Sequence, residues 1–112
     1  MNCCLKKVGN VAFVVVPGET LDASNSKDFR KSVKPILSDH NEVVLDLSEK
    51  RFVDSSGCGA LLSCLRTLNA KGGDLKLCGV SKQVRALFEL IRMHRVVEIY
   101  NTREEALNSF DD

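Results

Sequence analysis

An excess of charge of one sign is missing from this chain. Its 112 residues carry sixteen Lys and Arg against fifteen Asp and Glu, with both signs spread along the sequence. That balance gives no electrostatic reason to expect nucleic acid or an anionic membrane as partner. Long apolar runs are missing too: none approaches the ~18 residues of a membrane span, and the opening MNCCLKKVGN lacks the apolar stretch of a secretion signal. Histidine is limited to His40 and His94. The five cysteines, Cys3, Cys4, Cys58, Cys64 and Cys78, are odd in number and show no C-x-x-C or metal-ligand spacing, which argues against a zinc site and a disulfide framework. The expectation is a cytoplasmic protein with reduced thiols, no membrane insertion, no metal or other cofactor, and a protein surface as its partner.

What is present is enough for one domain spanning residues 1–112. At 44% apolar residues, a chain of this length can bury a core without a metal or disulfide staple. Val11 to Val16 is a β-branched run stopped by Pro17-Gly18 and reads as a buried strand, paired with Cys4 to Val8 as a hairpin through Gly9-Asn10. Ser24 or Ser26 is expected to cap a helix carrying Phe29, Val33, Ile36 and Leu37, with Pro35 kinking or ending it. Glu42 to Leu47 is a second buried strand. Cys58, Leu61, Leu62, Leu65 and Leu68 recur at helical spacing until Lys71 and Gly72-Gly73 stop the helix.

Leu75 to Cys78 reads as a third central strand. Ser81 then caps a helix with the stripe Val84, Leu87, Phe88 and Ile91, Val96 to Tyr100 follows as a strand, and Thr102 with Glu105 forms a capping box for a last helix ending near Phe110. A hairpin followed by repeated helix–strand units predicts an α/β fold, because strands separated by helices run parallel and near-continuous apolar strands suit a covered sheet.

The chemistry concentrates at RFVDSSGCGA, residues 51–60, between the strand EVVLDL and the leucine-rich helix. Ser55 or Ser56 could be a nucleophile, but a G-x-S-x-G elbow needs glycine two residues before the serine, and Val53 or Asp54 stands there instead. No histidine with a supporting carboxylate is evident for a triad. Gly57 and Gly59 could open a phosphate-binding loop, yet Leu62 occupies the place of a dinucleotide fingerprint's third glycine, and no Gly-Lys-Ser/Thr follows. A third reading makes the junction a helix start, with Ser55 or Ser56 as N-cap, that receives phosphate from another protein's kinase. There the glycines would allow a partner to approach closely. A plain helix cap without further function fits the same residues.

The segments Val44-Leu45-Asp46-Leu47, Phe52 to Leu62 and Gly72-Gly73-Asp74-Leu75-Lys76-Leu77, followed by Ser81, Val84, Leu87-Phe88, Val96-Val97 and Glu105-Ala106-Leu107, resemble the STAS domains of anti-sigma factor antagonists and sulfate transporters. The resemblance covers nearly the whole chain. It implies a four- to five-stranded, mostly parallel mixed sheet with about four helices mainly on one face.

It also implies a function. The unphosphorylated chain would bind an anti-sigma factor that is a serine kinase and so release the sigma factor; phosphorylation of Ser55 would end that binding, and a PPM-type serine phosphatase would restore it. ATP and magnesium would belong to the kinase. Asp22, Asp54, Ser56, Gly57 and Gly59 are the implied partner-binding residues around Ser55. A stand-alone subunit of a membrane transporter, a signalling scaffold and a nucleotide-binding module are the alternatives. The chain departs from the family's usual pattern in three places: Thr20 lengthens the G-E-L-D turn before Asp22, Cys58 replaces a common leucine, and Arg92 adds positive charge beside His94 and Arg95.

Overall fold

The computed structural model describes residues 1–111. Strand β1 (Cys4–Val8) folds back on β2 (Val11–Val15) as the expected antiparallel hairpin. A two-residue strand β3 (Thr20–Leu21) precedes helix α1 (Ser26–Asp39), and strand β4 (Glu42–Asp46) follows it. A second two-residue strand, β5 (Phe52–Val53), leads into helix α2 (Ser55–Asn69). Next come β6 (Asp74–Cys78), α3 (Lys82–Leu90), a 3-10 turn at Met93–Arg95, β7 (Glu98–Tyr100) and α4 (Arg103–Asn108).

The main sheet has the order β1-β2-β4-β6-β7, and every pairing after the hairpin is parallel. Period-two alternation sorts its side chains between two faces. Ala12, Val14, Val43, Leu45, Leu75 and Leu77 pack with Phe29, Val33, Leu61, Leu65, Val84 and Phe88, so α1, α2 and α3 cover one face. Phe13, Val44 and Cys78 pack with Ala106 of α4 on the other. This is the expected mixed sheet with helices mainly on one face.

Several local expectations change. Neither Ser24 nor Ser26 caps α1: Asn25 stands at the cap position, its side chain instead holding the Asp22 N–H and the Thr20 carbonyl. Pro35 does not end the helix, which runs on to Asp39. Pro35 and Lys31 are both exposed, so the carbonyl that loses its donor has water available. The last strand starts at Glu98, because Val96 and Val97 follow the 3-10 turn instead. Ile91 leaves the α3 stripe and is exposed.

The pair β3–β5 was not expected at all. Two residues each, joined in parallel with Thr20 opposite Phe52 and Leu21 opposite Val53, they are too short to show a period. They set the loop after Leu21 directly against the start of α2. Gly57, buried in the first turn of α2, makes that approach possible: a Cβ there would stand 2.1 Å from the Leu21 carbonyl oxygen and 2.8 Å from Val53 Cγ1. At Gly59 the space is open, with Arg30 Nη2 nearest at 3.7 Å.

The two glycines therefore predict opposite outcomes for alanine. Gly57→Ala should lower the unfolding free energy by about 3 kcal/mol, as overpacking against a fixed backbone does. Gly59→Ala should be neutral or add roughly 0.5–1 kcal/mol from helix propensity. Urea unfolding midpoints of the two variants check this.

Candidate functional site

The residues singled out at the junction do come together, at the C-terminal ends of the parallel strands, but in different roles from those expected. Neither serine is the N-cap of α2. Asp54 is, in an extended conformation, with its Oδ1 accepting the Gly57 N–H at 2.9 Å. The other oxygen, Oδ2, accepts the Ala23 N–H at 3.1 Å. One carboxylate thus closes the helix start and fastens the loop 22–25 to it. The backbone repeats the link where the Asp54 N–H donates to the Leu21 carbonyl at 3.2 Å.

The loop is itself tied internally. The Asp22 N–H donates to Asn25 Oδ1 at 2.9 Å, and the Asp22 carbonyl accepts from the Asn25 and Ser26 amides. Asp22 Oδ1 accepts both the Ser24 N–H at 3.0 Å and the Ser24 hydroxyl at 2.5 Å. The Ser24 hydroxyl is the main reason the Asp22 carboxyl titrates below its ordinary value. Asp22 therefore stays ionised, in the loop that Asp54 fastens to the start of α2.

Ser55 is the first residue of α2 and exposed; Ser56 is half-buried beside it. Gly57 is buried, and within the chain the close approach it allows is that of Leu21. Gly59 is half-buried and faces Arg30. Cys58 is buried; burial first, and then the Asp54 charge, raise its thiol pKa. The helix start does not make it a reactive thiolate.

Sequence reasoning missed Lys50. It is fully buried, and its ammonium donates to the carbonyls of Pro17 at 2.6 Å, Gly18 at 2.8 Å and Thr20 at 3.1 Å. All three N–H bonds of the ammonium are used, and burial lowers its pKa. This internal cation fixes the segment that leads into β3, and hence the loop carrying Asp22. A lysine between Glu49 and Arg51 carries no sequence signal that separates it from a solvated one. The cap was more legible, since aspartate is among the strongest N-cap residues and Gly57 lies at the N3 position it bonds.

The arrangement does not assemble hydrolytic machinery. His40 Nδ1 pairs with the Ile36 carbonyl at 2.9 Å at the far end of α1, and His94 lies in the 3-10 turn. An open groove of about 710 Å³, lined by residues such as Lys7, His40 and Asp74, lies at the opposite ends of the strands. Among the described residues, no three of His, Cys, Asp and Glu gather as a metal ion requires, and no helix is long and apolar enough to cross a membrane.

This fold is that of a known domain class. The family described as STAS domain matches residues 4–106, and the chain belongs to it. An anti-sigma F factor antagonist of Paenibacillus polymyxa is 32% identical over 69 residues, 62% of this chain and 59% of its own length. The solved structure of the anti-sigma factor antagonist SpoIIAA in its unphosphorylated form superposes with a TM-score of 0.78 at 23% identity, covering 97% of this chain and 96% of that one. The murine anion transporter Slc26a9 contains a region of the same fold: TM-score 0.79 at 21% identity, 91% of this chain but 18% of that one.

Asp54→Ala should cost about 2 kcal/mol, the sum of a lost N-cap, ~1 kcal/mol, and a lost hydrogen bond to Ala23, ~1 kcal/mol. It should also release the Ala23 amide to fast hydrogen exchange. The thiols predict a pH effect: burial raises Cys64 and Cys78 from 9.0 to about 12, so the folded chain holds both protons where the unfolded chain has lost them. Their contribution to stability is full below pH ~9 and declines as pH rises toward ~12. At pH 8 a maleimide should label exposed Cys4 rapidly and Cys58, Cys64 and Cys78 only on unfolding.

Proposed function

We propose that this chain is an anti-sigma factor antagonist switched by phosphorylation of Ser55. In the unphosphorylated state it binds, in the cytoplasm, an anti-sigma factor that is also a serine kinase, and the sigma factor is released. The kinase then moves the γ-phosphoryl group of its own ATP to Ser55 Oγ; the hydroxyl proton passes to a base of the kinase and ADP leaves. A PPM-type phosphatase reverses the state by hydrolysis, returning the hydroxyl and inorganic phosphate. The chain supplies the acceptor and the docking surface; it is a regulatory partner, not an enzyme.

The observation that carries this reading is the division of labour at residues 54 and 55. Asp54 is committed to two backbone amides, whereas the Ser55 side chain is exposed at the first position of the helix. Phosphate there adds about −1.5 to −2 charges at a helix N-terminus, which favours anions. The fold tolerates it, while a partner that docked on a neutral hydroxyl meets a dianion beside Asp22. Support comes from the names of relatives such as the Paenibacillus polymyxa antagonist, and from SpoIIAA, whose structure is known in unphosphorylated and phosphorylated forms.

Ser55→Ala should bind the anti-sigma factor kinase as the unsubstituted chain does. Ser55→Asp should bind it at least tenfold more weakly, roughly 1.4 kcal/mol. Isothermal titration of both variants decides the matter; equal affinity would remove this reading.

A further inference from the structure

We propose that Arg30 of α1 is the internal counter-charge for phosphate on Ser55, so that the modified chain supplies its own arginine clamp. The inference rests on the reading of Ser55 as phosphoacceptor. Helices α1 and α2 lie side by side on one face of the sheet. Each follows a strand of the mutually parallel set β2, β4 and β6 and leads back to the next, so the two helices run in the same direction. Their residues are in step: Arg30 lies nearest Gly59, and Arg30 and Lys34 both line the groove of about 280 Å³ that continues along α2 past Ser63 and Cys64.

Ser55, Gly59 and Ser63 are spaced by four and form one stripe of α2. The absence of a side chain at Gly59 leaves room for the guanidinium of Arg30, whose Nη2 stands 3.7 Å from where a Cβ would be. That point is one helical turn from Ser55. Side chains four apart on a helix have Cβ atoms about 5–6 Å apart, a span that the clamp bridges through the added length of a phosphate and a rotamer change of exposed Arg30 toward Ser55.

Arg30 is also electrostatically unspent. Among the described residues no carboxylate lies within 4.0 Å of its guanidinium, or of Lys27, Lys31 or Lys34 on the same helix. A phosphate on Ser55 would face the carboxylates of Asp54 and Asp22 on one side, and Arg30 with Lys27 on the other. A planar guanidinium pairs two phosphate oxygens at once, which an ammonium does not. The clamp offsets the acidic neighbours and bridges α1 to α2 only in the modified state.

The test needs no kinase. Phosphoserine is placed at position 55 by genetic-code expansion, and its second pKa is read by phosphorus NMR in the unsubstituted background, in Arg30→Gln and in Arg30→Lys, with backbone amide spectra confirming the fold. The clamp predicts that Arg30→Gln raises this pKa by half a unit or more, about 0.7 kcal/mol at 1.36 kcal/mol per unit, and that Arg30→Lys recovers part of the difference. Phosphoserine at position 56 should show no dependence on Arg30. Equal pKa values at position 55 in all three backgrounds would overturn the clamp and leave the reading of Ser55 standing. Loss of that reading would show instead as unchanged partner binding by Ser55→Asp.

Discussion

Two oxygens of one carboxylate hold the working end of this molecule together. Asp54 Oδ1 closes the first turn of α2 at Gly57, and Oδ2 holds the loop 22–25 through Ala23. Everything exposed at that end depends on the pair. Asp22 is presented by the loop, Ser55 by the helix start, and their relative position is set by a residue that is itself fully engaged. The short parallel pair β3–β5 brings the two segments within reach, and Gly57 lets them close because nothing larger fits under the Leu21 carbonyl. Lys50 completes the scaffold from behind, its buried ammonium donating to three carbonyls, of which that of Thr20 also accepts from Asn25.

A phosphate-driven switch of the kind proposed would separate what must stay fixed from what must change. The fixed parts are buried or saturated with hydrogen bonds. The part proposed to vary is one hydroxyl, at the position where the helix field favours an added anion. Switching would then require no refolding, and the proposed partner would meet a different charge on the same shape. This is a sparing arrangement for a domain of 112 residues, whose marginal stability leaves little room for a local unfolding step.

Much of the fold was legible because its elements are long enough to show a period. The stripe from Cys58 to Leu68, the run Val11 to Val16 and the capping box at Thr102 and Glu105 each carry several consistent signals, and the structure has them all. What escaped was short or tertiary. Two-residue strands have no alternation to read, so β3 and β5 were invisible. Pro35 suggested a kink or a helix end, and the helix runs on through it, since an exposed proline can be accommodated where water serves the freed carbonyl. At the site, the cluster DSSG was legible as a helix start. The division of roles within it was not, because Asp54 and the serines are all good caps, and only the position of Ala23, more than thirty residues away in sequence, selects the aspartate. Lys50 was unreadable for the same reason, since its three carbonyl partners come from a distant loop.

Asp54 is expected to keep the proposed docking surface intact whether or not Ser55 carries phosphate. Hydrogen exchange at the Ala23 and Gly57 amides, followed residue by residue in the unmodified chain and in the chain phosphorylated at Ser55, tests it most directly. Protection at both amides that is equal in the two states, within about twofold, is the predicted result. Loss of protection at either amide on phosphorylation would show that the switch works by opening this end of the fold, and would contradict the account.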